Sequence, residues 1–417
     1  MEVRQMTLGS WMIRLLLVSS IVVFFFSLPC CAPSSDSSTL PNSPSQPPTT
    51  SGQASNSSNP IIPSPISTFP AVPAVLPKPI ILGQVYPPVV SVAAITSEPY
   101  IRVLIVPEQA YPPSINPQLY RGKVLIERLA DGEFIAVNAL PIEEYLAGVL
   151  SRELYGDWRP TAYAAQAIAA RTYALYQIMT FGRTHAWDVT GTLTSQMYGG
   201  KEAETVRSWD AVTGTRGLVL YTSGDSGIGI FCSFYCSCDG GATQSAADAW
   251  GDAAVVTLTD ESTGTLDDES PDFFWPPMVI SKAQITQVIN WWGLKNRLPY
   301  LTELGPIASV AVSEKNTITG RPQIITLRDV YGHVGKMRAE EFRMAIFMNP
   351  FQNAPVPPSS FFDIRDAGSY IELTNGRGHG HGVGMSQWGD EAMALHGMTY
   401  QQILSFYYPS SWIHEQW

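Results

Sequence analysis

Three stretches of the sequence carry side chains whose types and spacing could do chemistry. The first holds a lone carboxylate, Glu153, which ends an apolar helical pattern and precedes a turn that contains Trp158. Burial at this position would raise the pKa of the carboxyl group, which could then act first as a general acid and later as a base. The alternative is a solvated glutamate that pairs with Arg152 or Arg159.

The second stretch is the glycine-rich segment 376–389. Glycine at alternate positions allows close approach of the backbone to another group, and His379 and His381 would share a side if the chain were extended. Two histidines suggest a metal site, but no acidic residue stands at the spacing of a metalloprotease helix. We therefore expect the rigid wall of a binding groove, with histidine, Gln387 and Trp388 as hydrogen-bonding and stacking groups.

The third stretch contains Cys232, Cys236 and Cys238. In an exported protein a disulfide is favoured over a cluster of metal-binding thiolates. On one extended strand all three would face the same side, and neighbouring same-face positions are too far apart for an unstrained bridge. A local bulge would then be required.

The elements that must position these groups follow from hydrophobic periodicity. Apolar residues at intervals of three and four predict an amphipathic helix over 140–154, and Pro160 opens a second helix, 161–179, whose alanine-rich face implies very close packing. Short β-branched segments divided by proline or glycine indicate antiparallel strands. The predicted fold class is therefore α+β, mostly antiparallel sheets with a few packed helices. Strands are expected at 90–95, 101–106, 122–126, 134–137, 217–221, 229–235, 307–312 and 324–328, a helix at 281–292, and a helix pair within 386–408.

The first 31 residues are typical of an export signal. Arg4 and Arg14 precede or open an apolar run that is shorter than the ~20 residues a spanning helix needs. Cys31 follows a short leucine-containing box and is the expected lipidation site, with plain secretion or a retained anchor helix as alternatives. Residues 32–80 are rich in Pro, Ser and Thr, which predicts a disordered linker, and 81–417 form the folded domain.

Composition excludes two broad classes. The 417 residues include 25 Lys and Arg against 36 Asp and Glu, a net charge of -11, and 45% of them are hydrophobic. A chain this apolar can bury a core, so it is not disordered throughout. An acidic chain without a basic block lacks the patch that nucleic-acid binding requires.

Together these stretches resemble the bacterial family of the stage II sporulation protein D and the amidase enhancers. The resemblance runs in order from about residue 90 to 409. Its motifs are the segments 140–153, 164–174, 195–200, 211–220, 240–243, 249–251, 380–389 and 400–409.

The resemblance implies cleavage of peptidoglycan glycan strands by a lytic transglycosylase, with Glu153 as the catalytic glutamate. Such an enzyme uses the 6-hydroxyl group of the sugar as its nucleophile, so one carboxyl group suffices where ordinary glycosidases need two. It also implies polar positions around the groove, at Gln166, Arg171, Gln196, Tyr198, Ser233, His381 and Gln387. A structural ion pair of Arg171 with Glu143 or Glu144 is the alternative for that residue, and Tyr198 and Trp388 could belong to the core.

One departure from the family concerns metal. Some relatives carry a His/Cys zinc cluster before the Gln-x-Tyr element, whereas residues 185–196 here contain His185 and no cysteine. We therefore expect no zinc, no other metal and no cofactor.

The expected partners are peptidoglycan glycan strands and a cell-wall amidase, with membrane contact only through the N-terminal anchor. Two rival functions remain open. One is a non-enzymatic wall-binding activator of an N-acetylmuramoyl-L-alanine amidase. The other is metal-dependent hydrolysis through His379 and His381. The motifs do not distinguish sporulation from general wall remodelling.

Overall fold

The computed structural model of the protein describes residues 69–79, 87–93, 95–225, 227–352 and 354–417. The expected signal segment, Cys31 and the linker up to residue 68 lie outside these residues. Within the described ranges no helix is both long enough and apolar enough to cross a membrane.

The described chain mixes helices with mostly antiparallel sheets, which confirms the predicted α+β class. The helices are α1 (Ile142–Glu153), α2 (Pro160–Met179), α3 (Val206–Gly214), α4 (Ala246–Trp250), α5 (Lys282–Asn296), α6 (Pro299–Thr302), α7 (Ala339–Met348), α8 (Gln387–Leu395) and α9 (Tyr400–Tyr407). The strands are β1 (Tyr100–Gln109), β2 (Lys123–Arg128), β3 (Phe134–Pro141), β4 (Val189–Thr190), β5 (Leu218–Gly224), β6 (Gly227–Ile230), β7 (Tyr235–Cys236), β8 (Phe274–Trp275), β9 (Met278–Ser281), β10 (Ile307–Lys315), β11 (Pro322–Asp329), β12 (Val334–Arg338), β13 (Phe361–Ala367), β14 (Tyr370–Arg377), β15 (Met385–Ser386) and β16 (Ser411–Glu415).

The strands form several small sheets. Sheet order is β2-β3-β1-β4 in the first, where β4 runs parallel to β1, and β16-β5-β6 in a second. The sheets β10-β11-β12 and β13-β14-β8, with β9 also on β14, are antiparallel. The short strands β7 and β15 pair in parallel and join two parts of the chain about 150 residues apart.

The central element is α2, which is buried on nearly every side. One side packs with α1, β1 and α3 in a core that includes Tyr145, Leu146 and Leu150. The other side presents Ala162, Ala165 and other small residues to α8 and α9. Small side chains let backbones approach closely, so the alanine-rich face explains how one helix can lie between two others.

A second core is built from residues 275–373. It packs α5 and α7 against β10, β11, β13 and β14, with Trp292 and Phe342 wholly buried at its centre. Gly378 and His379 follow directly and return the chain to residues 238–240, because His379 and Cys238 form a β-bridge. The glycine-rich segment thus begins where the second core ends.

Two expectations for strands differ from the structure. Among the described residues of 90–95, Val90 alone makes a β-bridge, with Ile230. The strand expected over 229–235 ends at Ile230, because the chain leaves β6 and joins a different partner at β7. Apolar β-branched runs do not reveal which partner strand each residue will meet.

The described end of the expected linker packs against the folded part. Phe69, Val72 and Leu76 contact the second core, and the ring of Phe69 stacks on that of His333 with centroids 4.1 Å apart. The guanidinium of Arg338 donates to the carbonyl oxygens of Leu76 and Pro77. Residues 69–79, which composition assigns to the linker, therefore include side chains and carbonyl groups that contact the second core.

Candidate active site

The carboxylate of Glu153 lies at the end of α1, where Leu154 leaves the helical conformation with φ -120° and ψ 154°. Its Oε1 accepts a hydrogen bond of 2.7 Å from the backbone N–H of Met197. Its Oε2 accepts one of 3.2 Å from Nε2 of Gln387, and the Tyr235 side chain also bonds to it. The end of a helix, a loop and the start of α8 therefore converge on this one partly exposed side chain.

Burial raises the pKa of Glu153 above its ordinary value, because the charged form loses solvation. The hydrogen bonds from Met197, Gln387 and Tyr235 oppose this shift, since they stabilise the carboxylate. The negative end of the α1 dipole also disfavours a charge at this position. A carboxyl group held in this way can donate a proton and then take one back.

A buried hydrogen-bond network around Gln196 reaches Glu153 through Tyr235. Gln196 accepts from the hydroxyl of Tyr145 at 3.0 Å and donates to that of Tyr235 at 2.9 Å, while its amide also donates to the Ala170 carbonyl. Gln196 is wholly buried. It therefore orients Tyr235, which in turn bonds to Glu153, and the substrate contact predicted for Gln196 stays a prediction.

An aromatic cluster flanks the carboxylate. The rings of Tyr155, Trp158 and Trp388 lie with centroids 5.1–5.6 Å apart. Trp158 is buried, Trp388 is partly exposed, and Tyr155 is 56% exposed two residues after Glu153. Flat, partly solvated aromatic faces suit the packing of a sugar ring.

Residues 378–384 of the glycine-rich segment form a tight loop and not an extended strand. Gly382 and Gly384 have φ +71° and +73°, and a Cβ atom on Gly384 would lie 2.0 Å from the carbonyl oxygen of Phe234. The expected close approach of the backbone is confirmed, and what it approaches is the segment 234–239. This packing places Gln387, just beyond the loop, within hydrogen-bonding distance of Glu153.

The two histidines of the loop have separate surroundings, because the loop is not extended. His379 is exposed and its Nδ1 lies 2.7 Å from Asp272. The ring of His381 packs edge-on against Phe234 and Trp250, and burial lowers its pKa to about 4. Nowhere in the described ranges do three His, Cys, Asp or Glu side chains converge as metal ligands.

His381 makes structural hydrogen bonds, and its predicted contact with substrate stays a prediction. Its Nδ1 accepts from the backbone N–H of Val383 at 3.0 Å, and the ring also bonds to the backbone of Tyr235. A neutral imidazole with one acceptor and one donor nitrogen satisfies both groups. His381 therefore ties the loop to β7.

Three further residues predicted to contact substrate lie in the interior. Gln166, Arg171 and Ser233 are wholly buried in this conformation, and their contact with substrate stays a prediction. Arg171 forms an ion pair of 2.6 Å with Glu143, which is the structural alternative to substrate contact, and the hydroxyl of Ser233 donates to the Ala169 carbonyl. Helical periodicity placed Gln166 and Arg171 on a helix correctly, but it does not reveal which polar side chains are enclosed on all sides.

Tyr198 packs as a partly buried core residue. Its hydroxyl donates to Oδ1 of Asn138 at 2.8 Å, and its ring lies 5.3 Å from that of Tyr145. Of the predicted polar positions, only Gln387 bonds directly to Glu153.

The three described cysteines are free and buried, so the expected disulfide is not formed. Burial raises the pKa of all three thiols, which keeps them protonated. A buried neutral thiol behaves as a small apolar side chain and not as a nucleophile.

The sequence did not single out Tyr235, Tyr155 or the backbone N–H of Met197 as parts of the site. Tyr235 belongs to the strand that enters the 240–243 motif, and this neighbourhood is the one signal that could have found it. A backbone donor such as Met197 leaves no trace in residue type.

Comparison with known proteins gives concordant matches. A family model described as stage II sporulation protein matches residues 130–221, which contain Glu153. An uncharacterized protein of Brachyspira hyodysenteriae is 31% identical over 300 residues, 71% of this chain and 72% of that protein. Stage II sporulation protein D of Bacillus subtilis is 28% identical over 295 residues, 67% of this chain and 76% of that protein. The amidase enhancer of the same organism is 26% identical over 303 residues, 64% of this chain but 40% of that longer protein.

Proposed function

This chain belongs to the stage II sporulation protein D family, and from that premise we propose that it is a lytic transglycosylase that cleaves peptidoglycan glycan strands. The observation that carries the proposal is the setting of Glu153. It combines a raised pKa, three converging hydrogen bonds and an adjacent aromatic cluster.

The reaction needs one carboxyl group. Protonated Glu153 gives its proton to the glycosidic oxygen as the bond from C1 of MurNAc to GlcNAc breaks. The resulting carboxylate takes the proton of the 6-hydroxyl group while the 6-oxygen bonds to C1, which closes the 1,6-anhydro ring without water. Glu153 ends the cycle protonated, as it began.

A second catalytic carboxylate from α1 does not fit this site. Glu143 and Glu144 lie about two to three turns before Glu153 on the same helix. Glu143 also forms the buried ion pair with Arg171. A mechanism with one acid that turns into a base suits this arrangement better than a pair of carboxylates.

The surroundings of Glu153 fit a neutral sugar chain. Tyr155 and Trp388 offer aromatic faces, and Glu153 is partly exposed. The expected export signal and Cys31 lipidation would place the protein in the cell envelope, outside the cytoplasmic membrane, in wall remodelling or sporulation.

The test is a digest of purified peptidoglycan analysed by liquid chromatography and mass spectrometry for 1,6-anhydro-muropeptides. Wild type should release them and Glu153→Gln should not. Glu144→Gln, the same change on a partly exposed position of the same helix, is the matched control and should cleave normally. If wild type and Glu153→Gln release the same products, Glu153 is not the catalyst.

A second candidate function follows from the amidase-enhancer relative. The protein would then bind the wall and stimulate an N-acetylmuramoyl-L-alanine amidase without cutting glycan. Adding the protein to an amidase and counting freed stem peptides distinguishes the two. Stimulation that persists in Glu153→Gln, with no anhydro product from wild type, would favour the activator.

A further inference from the structure

A buried carboxylate, Asp267, links two segments that border the site. It lies in the turns between α4 and β8 and is 1% exposed. Its Oδ2 accepts hydrogen bonds from the backbone N–H groups of Asp239 and Gly240, at 2.7 and 3.2 Å, and from the hydroxyl of Ser386 at 3.1 Å. One oxygen atom thus binds the turn at 239–240 and the residue that precedes α8.

Ser386 connects Asp267 to the residue that contacts Glu153. Its hydroxyl group donates a hydrogen bond to Asp267 and accepts one from the N–H of Gly389, which caps the N-terminus of α8. Gln387, the next residue, donates to Oε2 of Glu153. The rotamer of the Ser386 hydroxyl, and with it the start of α8, is set by the buried carboxylate.

The turn at 239–240 is itself held from the side of the second core. Arg321, which precedes β11, is wholly buried and its NH1 donates to the carbonyl oxygens of Asp239 and Ala242. The Asp239 carboxylate accepts from Gly241 and from Thr263. Asp267 therefore attaches Ser386 to a turn that is fixed at several other points.

We propose that Asp267 is a positioning residue that holds Gln387 on Glu153 by anchoring Ser386 to the turn at 239–240. The predicted effect of Asp267 on kcat rests on the proposed function, whereas its predicted effect on the pKa of Glu153 does not. In the folded protein, loss of Asp267 frees the start of α8 and weakens the hydrogen bond from Gln387. Because that bond lowers the pKa of Glu153, its loss raises the pKa further.

The first experiment follows the titration of Glu153 itself by ¹³C NMR of protein labelled at glutamate Cδ. Direct observation is needed because burial and the charge of Asp267 raise the pKa of nearby Asp239 to about 7, which would confuse a bulk pH profile. Tyr235 and Tyr145 also face the site, and burial raises the pKa of both far above this range. Glu153→Gln assigns the resonance.

Asp267→Ala and Ser386→Ala should both raise the pKa of Glu153, in the direction that Gln387→Ala does. Asp267→Asn keeps an acceptor oxygen and should have a smaller effect. Asp268→Ala, an exposed aspartate one residue further along the chain, is the matched control and should titrate as wild type. If Asp267→Ala proves unfolded by circular dichroism, Ser386→Ala, which removes one hydroxyl group, decides the question.

The second experiment is a kinetic cycle. The loss of a hydrogen bond to a charged group corresponds to a rate decrease of about tenfold. If the bond from Gln387 to Glu153 is lost, Asp267→Ala should therefore lower kcat about tenfold and leave KM within about twofold of the wild-type value. The double variant Asp267→Ala/Gln387→Ala should be no slower than Gln387→Ala alone.

Folded Asp267→Ala and Ser386→Ala with an unchanged Glu153 titration would overturn the proposal, as would a change in KM alone or full additivity with Gln387→Ala. Wild type that releases no anhydro product would end the proposed function but leave the titration test intact.

Discussion

The ion pair of Arg171 with Glu143 makes a quantitative prediction about what this arginine does. Its Nε and NH2 bind both carboxylate oxygens at 2.6–3.2 Å, and NH1 donates to the carbonyl of Leu218 at 3.1 Å. Glu143 Oε1 also accepts from the N–H of Gly217. The pair thus ties α1, α2 and the start of β5 together in the interior.

Removing one partner leaves the other charge buried without compensation. Arg171→Met should therefore lower the free energy of unfolding by about 3–5 kcal/mol. In a chain of this size each kcal/mol shifts Tm by roughly 2 °C, so a fall of roughly 6–10 °C is expected. Arg171→Lys keeps the charge but not the planar fork, and its Tm should lie between that variant and wild type.

The double variant Arg171→Met/Glu143→Leu replaces both charges by apolar groups and should recover most of the lost stability. Thermal unfolding followed by circular dichroism measures the four proteins. Glycan binding, measured well below each Tm, should be unchanged in Arg171→Lys. The reasoning is refuted if Arg171→Met keeps the wild-type Tm but loses glycan binding, because Arg171 would then contact substrate.

Three further predictions concern Glu153 and the glycine-rich loop. Because burial raises the pKa of Glu153, its acid form persists above the ordinary value of 4.5. As pH rises, kcat/KM for glycan cleavage should therefore fall with a midpoint above pH 4.5. A midpoint at or below pH 4.5 would contradict the role of Glu153 as the general acid. The same shift means that ionisation of Glu153 costs stability as pH rises through its folded pKa, so Glu153→Gln should raise Tm at pH 7 and lose this gain below pH 4.5. Gly384→Ala should cost roughly 1–3 kcal/mol for its left-handed φ, and more for the clash with Phe234, as measured by urea denaturation. Gly397 has φ +81°, but a Cβ atom there would meet open space, so Gly397→Ala measures the backbone cost alone. Equal losses of stability in Gly384→Ala and Gly397→Ala would contradict a clash with Phe234.

The parts of the fold with a strong local signal could be predicted from the sequence. The periodicity before Glu153 and the proline at 160 marked α1 and α2 closely, since the structure has them at Ile142–Glu153 and Pro160–Met179. The alternating glycines predicted close backbone contact, which the loop makes with the segment 234–239. In these cases the residue types act through local conformation.

What the sequence could not provide depends on pairs of residues far apart in the chain. The enclosure of Arg171, Gln166 and Gln196 is decided by packing of α2 against several elements at once. The expected export favoured a disulfide among the cysteines, yet all three described cysteines are buried as free thiols. Met197 contributes through its backbone, which every residue shares.

The distance along the chain between Glu153 and Gln387 bears on how the protein is made. The two are 234 residues apart and meet only when α8 has docked beside α1. Contacts of such long sequence separation form late and slowly, after the local helices and hairpins. A chain still emerging from the ribosome therefore carries the Glu153 carboxylate without the Gln387 amide that binds it, and the site is complete only after α8 has been synthesised and has packed in place.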